Sequence, residues 1–207
     1  AFGIFHNASF ACCQAAATKL DVVSCAAQQP VWAVWCVFCF ATFPLNQAAT
    51  VFLPRAGGPQ AARHLGKLIL GLAFGFGLVM ASCHGFLAGV TPGLLAKDST
   101  LWPTIRTLAL PGAIALILCG ISQVLEGILL TLKQSKFLAC CHGVNFCLVY
   151  FGAQYVVRAG MGIQGVWALV VGMYIFRACQ CTARLLPIWR KAHSDGPALA
   201  NLEEGTL

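Results

Sequence analysis

Charge is what this chain has least of. Only 9% of its 207 residues are charged and six are acidic, whereas about a quarter of a soluble domain is ionic. A water-facing surface needs more than that, so a soluble globular domain is excluded as the first reading. No nucleophile-base pair and no metal-ligand constellation is spaced along the chain, so it does not read as an enzyme, and no metal or other cofactor is assigned. The net charge of +7 is not gathered into a basic stripe interleaved with aromatics, which argues against a nucleic-acid partner. An initiator Met, a basic leader and a small-residue cleavage site are missing from the first run, so it does not read as a secretory signal peptide. The expectation is a chain that starts inside a helix, with further sequence upstream.

What is present is apolar. Hydrophobic residues make up 59% of the chain and the mean hydropathy is +0.80. They fall into six runs, at about 1–18, 22–53, 65–90, 102–132, 137–157 and 163–186. Runs near twenty residues match a bilayer core of about 30 Å at about 1.5 Å per helical residue. The predicted fold is an all-α polytopic membrane protein, six transmembrane helices forming one lobe over residues 1–187, with the lipid bilayer as its solvent. The last run is expected to stop before Pro187, leaving residues 188–207 as a flexible polar tail. Pro44 and Pro111 lie inside runs and predict bends. Gly71, Gly75, Gly85 and Gly89 recur at helical spacing, a pattern that allows close helix approach in lipid.

The basic residues cluster at run ends with an asymmetry. One set of connections carries Arg55, Arg63, Lys67, Lys133, Lys136, Arg184, Arg190 and Lys191, and the alternate set only Lys19, Lys97, Arg106 and Arg158. By the positive-inside rule the first set, with the C-terminus, faces the cytoplasm or its organellar equivalent.

Twelve cysteines would suggest a disulfide scaffold in a small secreted protein. Here most sit inside apolar runs, where Cys behaves as a small hydrophobe. Cys36 and Cys39 form a C-x-x-C with no second pair at zinc-ribbon spacing. Cys140, Cys141 and His142 are adjacent, as are Cys83 and His84, but neighbours on a helix point in different directions. Residues 160–165 spell G-x-G-x-x-G between two apolar helices rather than after a strand, so a tight interhelical turn is the better account than a nucleotide site.

Embedded polar groups carry more, because each needs a partner in hydrocarbon. Glu126 is the acid inside a run. It lies about two turns before Lys133, and two readings stay open, an ion pair near the helix end or a proton carrier in transport. The amides Gln28, Gln29, Asn46, Gln47, Gln123, Asn145 and Gln154 form a second group. Gln29 and Gln47 fall on one helical face about 27 Å apart, which fits either a cavity wall or interhelical hydrogen bonds. The candidate substrate or ion pathway is Gln29, Asn46, Gln47, Gln123, Glu126 and Asn145, with Pro44 and Pro111 as hinges.

Several of these segments together resemble a family. Ala26-Ala27-Gln28-Gln29 is similar to an Ala-Ala-His-Gln motif of the multidrug and toxic compound extrusion (MATE) transporters, in particular their DinF-like branch. Residues 44–54, Leu125-Glu126-Gly127-Ile128-Leu129-Leu130 and residues 160–167 match further segments in the family's order. The resemblance implies the C-terminal six-helix half of a twelve-helix protein, a secondary antiporter that exports small organic compounds in exchange for H+ or Na+. It implies a missing N-terminal six-helix lobe as partner and, by analogy to plant members, a chloroplast membrane. The chain departs from the pattern at Gln28, at Pro30 and at residues 117–123, where sodium-coupled relatives carry a mid-depth acid and this chain offers Cys119, Ser122 and Gln123. The coupling carboxylate is therefore expected in the other lobe. A second expectation is a degenerate half-transporter, serving as a structural subunit of a larger membrane complex and packed against another membrane protein.

Overall fold

The structure is a computed structural model that describes residues 2–204, with side chains over residues 4–190. Among the described residues there are helices and turns but no strand. In chain order the α-helices are α1 (Phe2–Ala17), α2 (Val22–Ala41), α3 (Phe43–Phe52), α4 (Pro59–Gly85), α5 (Trp102–Thr131), α6 (Ser135–Arg158) and α7 (Gly162–Glu204). A π-helical turn, Phe86–Val90, extends α4.

Among the described residues five segments are long and apolar enough to cross a membrane: Val22–Arg55, Pro59–Val90, Ser99–Thr131, Ser135–Arg158 and Gly162–Arg190. The described part of the first run, α1, has 16 residues, or about 24 Å of helix. The outward surface is apolar, with Phe40, Phe151 and Leu110 each more than two-thirds exposed. A soluble fold does not tolerate such an exterior, whereas lipid makes it neutral.

α5 is the central helix. It packs against α2, α3, α4 and α7, and α6 bridges α1 and α7. In its most apolar window α5 is 61% buried, against 28% for the spans containing α2 and α4. Missing side chains make this position possible. A Cβ on Gly127 would lie 2.8 Å from the Asn46 carbonyl oxygen, and one on Gly120 would lie 3.1 Å from that of Ala73. Gly77 of α4 meets the Ile117 Cα at 3.1 Å in the same sense. Gly77, Gly120 and Gly127 thus let a neighbouring helix backbone approach closely. Gly71, Gly75 and Gly85 have open space where a Cβ would stand, because period alone does not say which face of a glycine-rich helix meets a neighbour.

The core has two parts. Near α1, α2 and the first halves of α5 and α7 it is aromatic: Trp32 stacks on Trp35 at 5.3 Å, and Phe10 and Trp167 meet that pair edge-on. The other part is aliphatic, with Leu53, Ile69, Val124, Ile128, Leu129 and Leu185 among its members.

The two prolines act differently. Pro44 sits in the first turn of α3, where its missing N–H costs nothing. The run 22–53 is therefore broken at Thr42 into two helices rather than kinked within one. Pro111 lies inside an unbroken α5, and the Trp35 indole N–H donates to the carbonyl of the next residue, Gly112, at 3.1 Å. α7 also continues through Pro187, so helix replaces the tail expected from residue 188. One lost backbone bond is outweighed where the residues beyond it are packed, and Trp189 belongs to the aliphatic core and closes against Gly66. Residues 159–161 form the α6–α7 turn and 162–165 open α7, with Gly160 and Gly162 at φ +64 and +65. Outside the spans, Asp21 caps α2 by accepting the Ser24 N–H at 2.8 Å, and these hydrogen bonds hold its carboxyl below the usual carboxylate range.

Replacing Gly127 by Val is expected to destabilise the bundle by about 1–3 kcal/mol through overpacking against Asn46. Gly71→Val should stay close to the parent, and unfolding of both variants in detergent measures the contrast.

Candidate functional site

An acid in an apolar helix has to be answered. Glu126, 5% exposed, projects from α5 toward α7, and its answering charge is Arg177, 3% exposed. Arg177 Nε donates to Glu126 Oε1 at 2.7 Å, and Nη2 donates to the same oxygen. His142 Nε2 of α6 lies 3.4 Å from that oxygen. On the other side Arg177 Nη1 meets His6 Nδ1 of α1 at 3.0 Å. Four helices thus contribute one side chain each to a single buried polar cluster. The guanidinium also lies over the Tyr174 ring, 5.4 Å from its centroid, which offsets part of its desolvation.

Arg177 belongs to neither basic set at the run ends. It lies near the middle of the last run, away from Arg184 at that run's end, and a mid-run cation in one apolar run answering an embedded acid in another was the available signal. Its burial is tolerable because a planar guanidinium satisfies several acceptors at once. The ion pair expected near Lys133 instead forms deeper, with a different helix.

Asn46 is buried and donates through Nδ2 to the Gln123 carbonyl at 2.7 Å, joining α3 to α5. Asn145 is buried one turn after His142 and donates to Gln180 Oε1 at 3.2 Å, joining α6 to α7. It also lines a cleft of about 130 Å³ with Met173 and Phe176. Gln29 and Gln47 are exposed on α2 and α3, so the structure does not bring them to Glu126. Gln28 is buried instead, and its amide donates to Gln14 Oε1 of α1 at 3.0 Å. Among the described residues no group of three or more His, Cys, Asp or Glu side chains is placed to hold a metal ion.

The geometry describes a membrane bundle with a buried, charge-compensated centre, and comparison with known proteins gives it a context. Over 166 residues the chain is 28% identical to Protein DETOXIFICATION 47, chloroplastic, of Arabidopsis thaliana, a match covering 78% of this chain and 31% of that protein. The chain is similar to a plant DETOXIFICATION protein of the MATE family. That likeness supports membership of the family. The chain spans about a third of that relative's length. No protein-family profile matches the chain. No solved structure matches it either.

Removing one member of a buried pair leaves the other charge without compensation. Arg177→Met is therefore expected to cost about 3–5 kcal/mol. His6→Phe keeps the Glu126–Arg177 pair but leaves the buried Arg177 Nη1 without its His6 partner, and should cost less, about 1–3 kcal/mol. Unfolding titrations of the two purified variants measure the difference.

Proposed function

We propose that this chain is the C-terminal six-helix lobe of a DinF-like MATE secondary transporter, which exports small organic compounds in exchange for H+ or Na+. The likeness to a DETOXIFICATION protein over most of the chain carries this reading, and the apolar exterior fits it. An N-terminal six-helix lobe is the partner, and alternating access rocks one lobe against the other. The excess of basic residues at one set of connections argues for the C-terminus on the cytoplasmic or equivalent side. The relative's printed chloroplastic location is the ground for proposing a plastid membrane.

In this reading the lobe moves as a unit. The cluster of Glu126, Arg177, His142 and His6 fastens α1, α5, α6 and α7 together, and flexing is left to the break at Thr42 and to Pro111. Transport requires that ion and substrate bind the two states of the protein differently. Glu126 already accepts two hydrogen bonds from a guanidinium, so the carboxylate that exchanges the coupling ion is assigned to the other lobe. The amides Gln29, Asn46, Gln47, Gln123 and Asn145 remain the candidates for the pathway through this one. The same occupied carboxylate favours a second reading, a half-transporter retained as a structural subunit of a larger membrane complex.

Counterflow by the full-length protein in proteoliposomes, under an imposed pH or sodium gradient, tests the proposal. Gradient-dependent exchange of organic substrate is expected, and flux that ignores both gradient and substrate would leave the structural-subunit reading. Glu126→Gln is expected to lower the amount of active protein while leaving the pH midpoint of transport in place. A shifted midpoint would make Glu126 the proton carrier.

A further inference from the structure

The C-x-x-C of α2 is used by none of the chemistry above, and the structure gives its second cysteine a partner. Cys39 Sγ lies 3.2 Å from Cys119 Sγ of α5, both thiols being buried and 80 residues apart in sequence. The Tyr174 hydroxyl stands 3.7 Å from Cys39 Sγ, and the Thr42 hydroxyl stands 3.8 Å from Cys119 Sγ. Both thiols are free.

We infer that Cys39 and Cys119 form an oxidation site, whose closure to a disulfide tethers the end of α2 to the central helix. A disulfide needs the sulfurs about 1.2 Å closer than they stand, and the position of Cys39 allows that movement. Cys39 is in the last turn of α2, two residues before the helix ends at Ala41. Its carbonyl accepts the Thr42 N–H and the Thr42 hydroxyl, the latter at 2.7 Å, so this turn belongs to the break rather than to a continuous ladder. Cys119 is fixed within α5, and the mobile partner closes onto it.

The oxidant is a small neutral peroxide, which crosses hydrocarbon. One thiol, as its thiolate, attacks a peroxide oxygen. The O–O bond breaks, a sulfenic acid forms, and the leaving hydroxide takes the thiol proton to become water. The second sulfur then attacks the sulfenic sulfur. An S–S bond forms, the S–O bond breaks, and a second water leaves with the remaining proton. Two thiols lose two electrons and two protons in all, and one hydrogen peroxide becomes two waters.

The consequence is mechanical. The tether fixes the end of α2, just before its junction with α3, to α5, so in the oxidised protein that end of α2 cannot move away from α5. Cys36, one turn earlier and half-buried, is the competing partner.

The test is thiol mapping of the full-length protein in lipid nanodiscs. Hydrogen peroxide treatment is followed by alkylation under denaturing conditions, reduction, a second alkylating label and peptide mass spectrometry. The expected result is a peptide pair linked through Cys39 and Cys119 in the unreduced sample, lighter by two hydrogens, whose two cysteines carry the second label after reduction with dithiothreitol. The link should persist in Cys36→Ser and disappear in Cys39→Ser. Two results would overturn the inference. One is recovery of Cys39 and Cys119 as free thiols at a peroxide dose that oxidises the exposed Cys83 and Cys140. The other is a bridge from Cys119 to Cys36. The wild-type map carries the decision, so a poorly folding variant does not weaken it.

Discussion

The pairing of Glu126 with Arg177 is the interaction on which the rest of this bundle depends. Apolar surface is no guide to helix order in lipid, since a Leu on a neighbouring helix and a lipid tail are nearly equivalent solvents. Polar groups break that degeneracy, because each has few acceptable neighbours. One carboxylate and one guanidinium, both almost fully buried, require α5 and α7 to meet at one depth and one rotation. His142 and His6 then bring α6 and α1 to the same point. The net energy of such a pair against an apolar replacement is small, and its worth lies in register.

Around that pin the other contacts are arranged by size. Gly120 and Gly127 let α4 and α3 approach α5 to backbone distance, and the Trp32, Trp35 and Trp167 cluster fills the wider gap near α1 and α2. The charged cluster and the aromatic cluster thus hold α5 at two different depths, and the α2–α3 junction at Thr42 lies against α5 between them.

Much of this was legible in the sequence. The apolar runs marked an all-helical chain with segments long enough to cross a bilayer, because helix length in a bilayer is set by thickness. Glu126 stood out because an acid in hydrocarbon needs a reason, and Gly160 and Gly162 read correctly as a turn. Arg177 was less visible, since basic residues near run ends are common and this one had to be noticed as mid-run. The glycine stripe of α4 misdirected because a period of four fixes spacing along a helix and leaves its facing undetermined. Pro187 misdirected in a similar way: a proline stops a helix only where nothing packs beyond it, and the packing of Trp189 depends on α4, far away in sequence. The amides split for the same reason, with Asn46 and Asn145 turned inward and Gln29 and Gln47 outward.

The most direct test of the central claim is a charge exchange measured by folded yield in detergent. Glu126→Arg and Arg177→Glu alone each place two like charges in the core, and both should lose the monodisperse protein peak. The exchanged double variant should recover a substantial part of it. Equal losses in the double and single variants, or single variants that fold normally, would contradict the claim that this pair sets the register of the bundle.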